Sequence, residues 1–115
     1  MRTCLSALPL LVALSACSPP QCSEAQPLMD STAQAIAARD YEHAETDARA
    51  LAAALEGADG ELGMLEARST ELADALHAAS QPAASPEAGA RSAAEMSGAI
   101  ERFDSALASG RAACD

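Results

Sequence analysis

The sequence predicts an all-α fold, a small antiparallel helical bundle. Three observations carry this: apolar positions recur at intervals of three and four, alanine is abundant while aromatics are confined to Tyr41 and Phe103, and the longest periodic stretch is uninterrupted by Gly or Pro. Period-two alternation, the mark of strands, is absent from the periodic segments.

Residues 28–56 hold no Gly or Pro. Met29, Ala33, Ala37, Tyr41, Ala44, Ala48, Leu51 and Leu55 line up as one apolar stripe on an amphipathic helix, with Pro27 suited to its first turn. Gly57-Ala58-Asp59-Gly60 is a turn, Asp59 standing where a helix cap would. A second helix spans residues 61–79, with Leu62, Leu65, Ser69, Leu72, Leu76 and Ala79 in heptad spacing. Residues 80–84 break it. Ser85-Pro86-Glu87 then restarts a helix with a cap, a proline at the first position and an acid in the first turn. Its stripe of Met96, Ile100, Phe103 and Leu107 extends to Gly110 and Cys114, so that Cys114 faces the core.

The N-terminus has a different character. Met1 and Arg2 precede the apolar run Leu5, Ala7, Leu8, Leu10, Leu11, Val12, Ala13 and Leu14, which is well short of the roughly 20 residues a membrane-spanning helix needs. It ends in Leu14-Ser15-Ala16-Cys17, and these four residues resemble the lipobox of bacterial lipoproteins. The resemblance implies that residues 1–16 are a signal peptide, that the Cys17 thiol receives a diacylglyceryl group, and that cleavage just before it exposes an amino terminus that is often acylated too. Several acyl chains make attachment effectively permanent, each buried CH₂ contributing about 0.8 kcal/mol. Ser18 stands where the family's inner-membrane retention signal has Asp, which implies the periplasmic leaflet of the outer membrane in a Gram-negative cell, the inner membrane being the alternative. Ser18 to Pro27 reads as a polar, proline-rich tether, leaving residues 28–115 as the bundle.

Cys4 leaves with the signal and Cys17 is committed to lipid, so Cys22 and Cys114 remain, at the two ends of the domain. In an oxidising compartment such a pair is read first as a disulfide, with intermolecular bridges or a metal site as the alternatives. An intramolecular bridge requires an even number of helices, because three antiparallel helices would leave the two cysteines at opposite poles. The break that would supply a fourth helix lies at Arg39-Asp40-Tyr41. Residues 39–44 resemble the turn inside a tetratricopeptide helical hairpin, where a short polar turn precedes Tyr and an Ala follows three later, with Arg39 in place of the Gly. Against the break stands the apolar stripe, continuous in phase through Tyr41. Four helices are therefore the preferred reading, because two cysteines at the domain ends are otherwise hard to explain, and three are the alternative if the bridge does not form.

Charge narrows function. The chain carries 17 acidic and 7 basic residues, for a net charge of −10, and loss of Arg2 with the signal makes the remainder one unit more negative. Such a surface argues against nucleic acid and against docking on anionic head groups. Asp40, His43 and Asp47 fall near one helix face, where one imidazole and two carboxylates would suit a cation, although this spacing arises readily in so acidic a chain. His77 reads as a solvated histidine. Neither CxxC nor CxxCH occurs, which leaves thiol redox chemistry and c-type haem without support, and Met29 with His77 as a haem pair is better read as core filling beside a surface histidine. GxSxG is absent too, so nucleophilic catalysis and any enzymatic role have no motif. The chain has no Lys, so a covalent peptidoglycan link of the kind made by the C-terminal Lys of murein lipoprotein has no residue to form it.

The expected function is therefore that of a membrane-anchored, non-enzymatic interaction or accessory module with an envelope protein as partner and no cofactor. The alternatives are an acidic cation- or ligand-binding domain and a self-associating structural lipoprotein.

Overall fold

A computed structural model describes residues 20–115. The expected signal peptide and the expected lipidation site at Cys17 lie outside the described residues. Within them the chain forms four helices, α1 (Cys22–Ala37), α2 (Tyr41–Ala54), α3 (Gly60–Ser80) and α4 (Pro86–Cys114), and no strand. Each helix packs antiparallel on its predecessor, and the end of α4 returns to the start of α1. The register is visible in cross-helix pairs: Ser31 meets Asp47 between α1 and α2, Arg49 meets Asp74 and Glu45 meets His77 between α2 and α3, and Arg102 meets Glu71 between α3 and α4. Between α2 and α3 one partner's number rises as the other's falls, as antiparallel packing requires.

The break at residues 38–40 is a Schellman turn. The Asp40 amide donates to Ala35 O at 2.8 Å and the Arg39 amide to Ile36 O at 3.0 Å, which satisfies two carbonyls at the end of α1. Arg39 takes the left-handed conformation this motif demands, at φ 59°, a position glycine occupies without strain. Asp40 closes the previous turn and opens the next helix, its carboxylate accepting from the His43 amide at 3.3 Å. Arg39→Gly relieves a strain of about 1–2 kcal/mol and gives back part of it through the greater freedom of the unfolded chain. The expected net gain is about 0.5–1 kcal/mol, seen as a melting temperature higher by roughly 2–6 °C.

The second turn uses both its glycines in left-handed conformations, Gly57 at φ 82° and Gly60 at φ 61°. Asp59 occupies the cap position of α3, but its side chain makes no capping bond. Ser85 does cap α4, accepting from the Ala88 amide at 3.1 Å, with Pro86 in the first turn.

The core runs along the seam between the helices. From α3 come Leu62, Leu65, Ser69, Leu72, Ala73 and Leu76, and from α4 come Ala99, Phe103, Ala106, Leu107, Gly110 and Cys114. At Gly110 the two helices approach so closely that a Cβ would lie 2.7 Å from Leu65 Cδ2. α2 contributes Ala44, Ala48 and Leu51, with Leu55 just beyond it, as the stripe predicts. Buried Ser69 and Thr32 donate to Leu65 O and Leu28 O, each at 2.7 Å, so neither hydroxyl is left without a partner.

Two expectations for α1 are corrected. The helix begins at Cys22, not near Leu28, and Pro27 lies inside it. The buried face is Cys22, Ala25, Met29, Thr32 and Ala35, whereas Ala37 is exposed and Ala33 only partly covered. The stripe that appeared to continue through Tyr41 therefore changes phase at the Arg39 turn. Cys22 and Cys114 are joined by a disulfide, their Cα atoms 5.7 Å apart and 92 residues apart in sequence. This bond draws the chain before Pro27 into the bundle. Bonding within the helix begins at the Ala25 amide, so Pro27, its sixth residue, forgoes the bond that an amide there would make to Ser23 O.

Candidate functional site

The proposed cation ligands do not converge. Asp40 and His43 pair with each other, Oδ2 to Nδ1 at 2.7 Å, on a largely exposed corner. Asp47 lies one turn further along and accepts from Ser31 of α1 at 2.5 Å. That contact fastens the first hairpin, so Asp47 is occupied in holding α1 against α2. No group of three or more His, Cys, Asp or Glu side chains suited to a metal occurs among the described residues. His77 is solvated, as expected, but not alone: its Nδ1 lies 3.3 Å from Glu45 Oε2 on α2, and the same carboxylate takes Arg49 Nη2 at 3.4 Å. These groups form a charged seam between α2 and α3, completed by Arg49 with Asp74 at 3.2 Å.

A second charged cluster joins α3 to α4 and borders a cleft. Glu71 receives Arg102 through Nε, at 3.0 and 3.2 Å from its two oxygens, and through Nη2 at 2.8 Å. Arg68, one turn earlier on α3, reaches the same carboxylate through Nη1 at 3.2 Å. The hydrogen bond from Arg102 is the main reason that the Glu71 carboxyl is held below its ordinary range; desolvation opposes it, and Arg68 adds to it. In turn Glu71 pushes the Arg102 guanidinium up. Both partners are therefore charged across the physiological range.

The sign of the pH effect follows. A carboxyl with a depressed folded pKa contributes stability above its unfolded value and loses it as pH falls through the folded one. Glu71→Gln is thus expected to melt below the parent at neutral pH, by a small margin because about a third of the side chain is exposed. The gap should close as pH falls below about 4, which paired thermal melts across the acid range would register.

The cleft has a volume of about 600 Å³ and is lined by Gly60, Glu61, Met64 and Arg68 of α3 and by Arg102, Ser105, Ala106 and Ser109 of α4. Its shape follows from the sequence. Ser105, Ala106 and Ser109 are small and face Gly60, so the helices leave a furrow beside the close approach at Gly110. Met64 stands at its edge, 51% exposed, the one large apolar side chain in that state among the described residues. Residue-by-residue reading finds no pocket here, because the furrow arises from small residues on two helices that the sequence does not pair. The detectable signal was Gly60, Met64 and Arg68 at intervals of four, a second face of α3 alongside its leucine stripe.

No helix among the described residues is long and apolar enough to cross a membrane. Comparison of the chain with protein families, with curated proteins and with solved structures found no match.

Proposed function

We propose that this chain is a lipid-anchored accessory module of the bacterial envelope, held on the periplasmic face of a membrane and offering its helical surface to an envelope protein. The observation that supports this reading is the spacing between lipobox and bundle: α1 starts at Cys22, five residues after Cys17. Five residues span at most about 18 Å, so a lipid on Cys17 would keep the bundle against the membrane surface rather than let it roam on a long tether. The end of the bundle that would face the lipid carries Glu56, Asp59, Glu61 and Asp115 against Arg111. Anionic head groups repel such an end, so retention would come from the acyl chains. The outer membrane is the proposed address in a Gram-negative cell, and the module's role is binding rather than catalysis.

The test is metabolic labelling with palmitate followed by fractionation of cells expressing the parent or Cys17→Ser. The parent should carry label and sediment with outer membrane, and Cys17→Ser should appear unlabelled in the soluble periplasm with its disulfide intact. Membrane retention of Cys17→Ser would overturn the anchor, and inner-membrane sedimentation of the parent would overturn the address. In-cell photo-crosslinking from exposed Thr46 and Asp104 tests the partner, with a discrete adduct to one envelope protein expected. Adducts only between copies of this chain would instead indicate a structural self-assembly.

A further inference from the structure

The cleft between α3 and α4 is polarised along its length. At one end stand Arg68 and Arg102, and between them they share a single carboxylate, Glu71. Arg111 and Arg49, by contrast, face one acid, Asp30, and two acids, Glu45 and Asp74, respectively. The pair on Glu71 carries one positive charge more than that carboxylate, an excess that Glu101 beside Arg102 and Glu61 in the same cleft offset. Arg102 engages Glu71 through Nε and Nη2 while its Nη1 lies over Gly98, and Arg68 engages Glu71 through Nη1 alone, so Nε and Nη2 of Arg68 are the nearest donors left for another acceptor. Glu71 fixes the Arg102 guanidinium plane through two nitrogens and restrains Arg68 through one, which lowers the ordering cost of binding an anion. In the middle of the cleft lie Met64 and Ala106, and at the far end lies Glu61, with Ser105 and Ser109 offering hydroxyls along the α4 wall.

From this arrangement we infer that the cleft is a binding site for a short apolar peptide, its C-terminal carboxylate on Arg68 and Arg102, its side chains against Met64 and Ala106, and its amino terminus toward Glu61. Seven residues of α3 separate Glu61 from Arg68, about 10 Å along the axis. Three extended peptide residues cover about the same distance. The volume falls within the range of small-ligand sites, and capture of a terminal carboxylate by preorganised donors is a recurring mode of peptide recognition. The site does not depend on where the protein is anchored.

The test is a titration of the full-length protein, purified from the cell envelope in mild detergent with its disulfide intact, with the tripeptide Ala-Leu-Ala, followed by NMR at the Arg side-chain Nε–H groups and the Met methyls. Saturable shifts are expected at Arg68, Arg102 and Met64. The C-terminally amidated tripeptide should bind at least about tenfold more weakly, since it forfeits charge-assisted bonds, and the N-acetylated one should lose affinity to a smaller extent. Arg102→Gln should weaken the free-acid peptide by a similar factor while leaving helicity unchanged. Met64→Ala alters an exposed side chain that the fold does not need, and should weaken binding several-fold, which keeps the test decisive if Arg102→Gln unfolds. Equal binding of acid and amide, shifts elsewhere on the bundle only, or no saturation at millimolar peptide would each overturn the site.

Discussion

Replacing Cys22 and Cys114 together by alanine is expected to cost about 4–5 kcal/mol and to lower the melting temperature by on the order of 20 °C or more. The magnitude comes from the loop. The bond closes a stretch with a sequence separation of 92 residues, nearly all of the described chain, so its loss restores to the unfolded ensemble most of the freedom that one cross-link can remove. The native side offers little compensation. α1 is held mainly by α2 and touches α4 only lightly, and without the bond its first turns keep just the packing of Ala25 and Met29 and the exposed Arg111 to Asp30 pair at 2.6 Å. The double alanine variant is therefore expected to fray from Cys22 before it unfolds globally. Hydrogen exchange should show residues 22–30 losing protection while the amides of α3 keep theirs. A loss below about 1 kcal/mol would mean that the unfolded chain is already restrained by other means.

Phe103→Ala is the second large effect, expected at about 3–5 kcal/mol. Phe103 is wholly buried and is the sole phenylalanine of the chain. Much of the core is alanine, at Ala25, Ala44, Ala48, Ala73, Ala99 and Ala106. Alanine has no rotamer with which to fill a hole, so a cavity at Phe103 can close only by movement of backbone, and the cost should fall in the upper part of that range. Urea denaturation should show the midpoint falling with the slope unchanged. Phe103→Leu, which keeps most of the volume, should cost less than about 1.5 kcal/mol. Equal costs for the two variants would contradict the view that this core cannot collapse.

How much of the fold could be read from sequence depended on which residue types filled each helix. In α3 the leucines at 62, 65, 72 and 76 mark one phase only, and every one of them is buried. In α4 the stripe ending at Gly110 and Cys114 pointed both to the core face and to the bridge, because bulky Ile100, Phe103 and Leu107 leave no second choice of face. α1 was ambiguous for the opposite reason. Alanine at 25, 33, 35 and 37 fits several phases equally well, and the true face includes Thr32, whose hydroxyl is hidden by a bond to Leu28 O that no hydropathy pattern reveals. The Arg39 turn was legible only through the even-helix requirement of the bridge, since arginine is a rare occupant of a left-handed cap.

The charged sites were less legible than the fold. Asp40, His43 and Asp47 share a helix face by spacing, but Asp47 is drawn to Ser31 across the hairpin, a contact set by the register between helices. His77 and Glu45 meet for the same reason, and so do Glu71 and Arg102, 31 residues apart. Periodicity within one helix carries no information on how two helices slide past each other; packing of the small residues at the seam decides it.

The central claim is that one chain closes on itself, with its first helix bonded to its last. Intact-mass and native mass spectrometry of the oxidised protein, followed by proteolysis without reductant, tests this most directly. The expected result is a monomer lighter by two hydrogens that yields one linked peptide pair containing Cys22 and Cys114. A covalent dimer, or a monomer in which both thiols accept an alkylating reagent, would contradict the closed four-helix bundle.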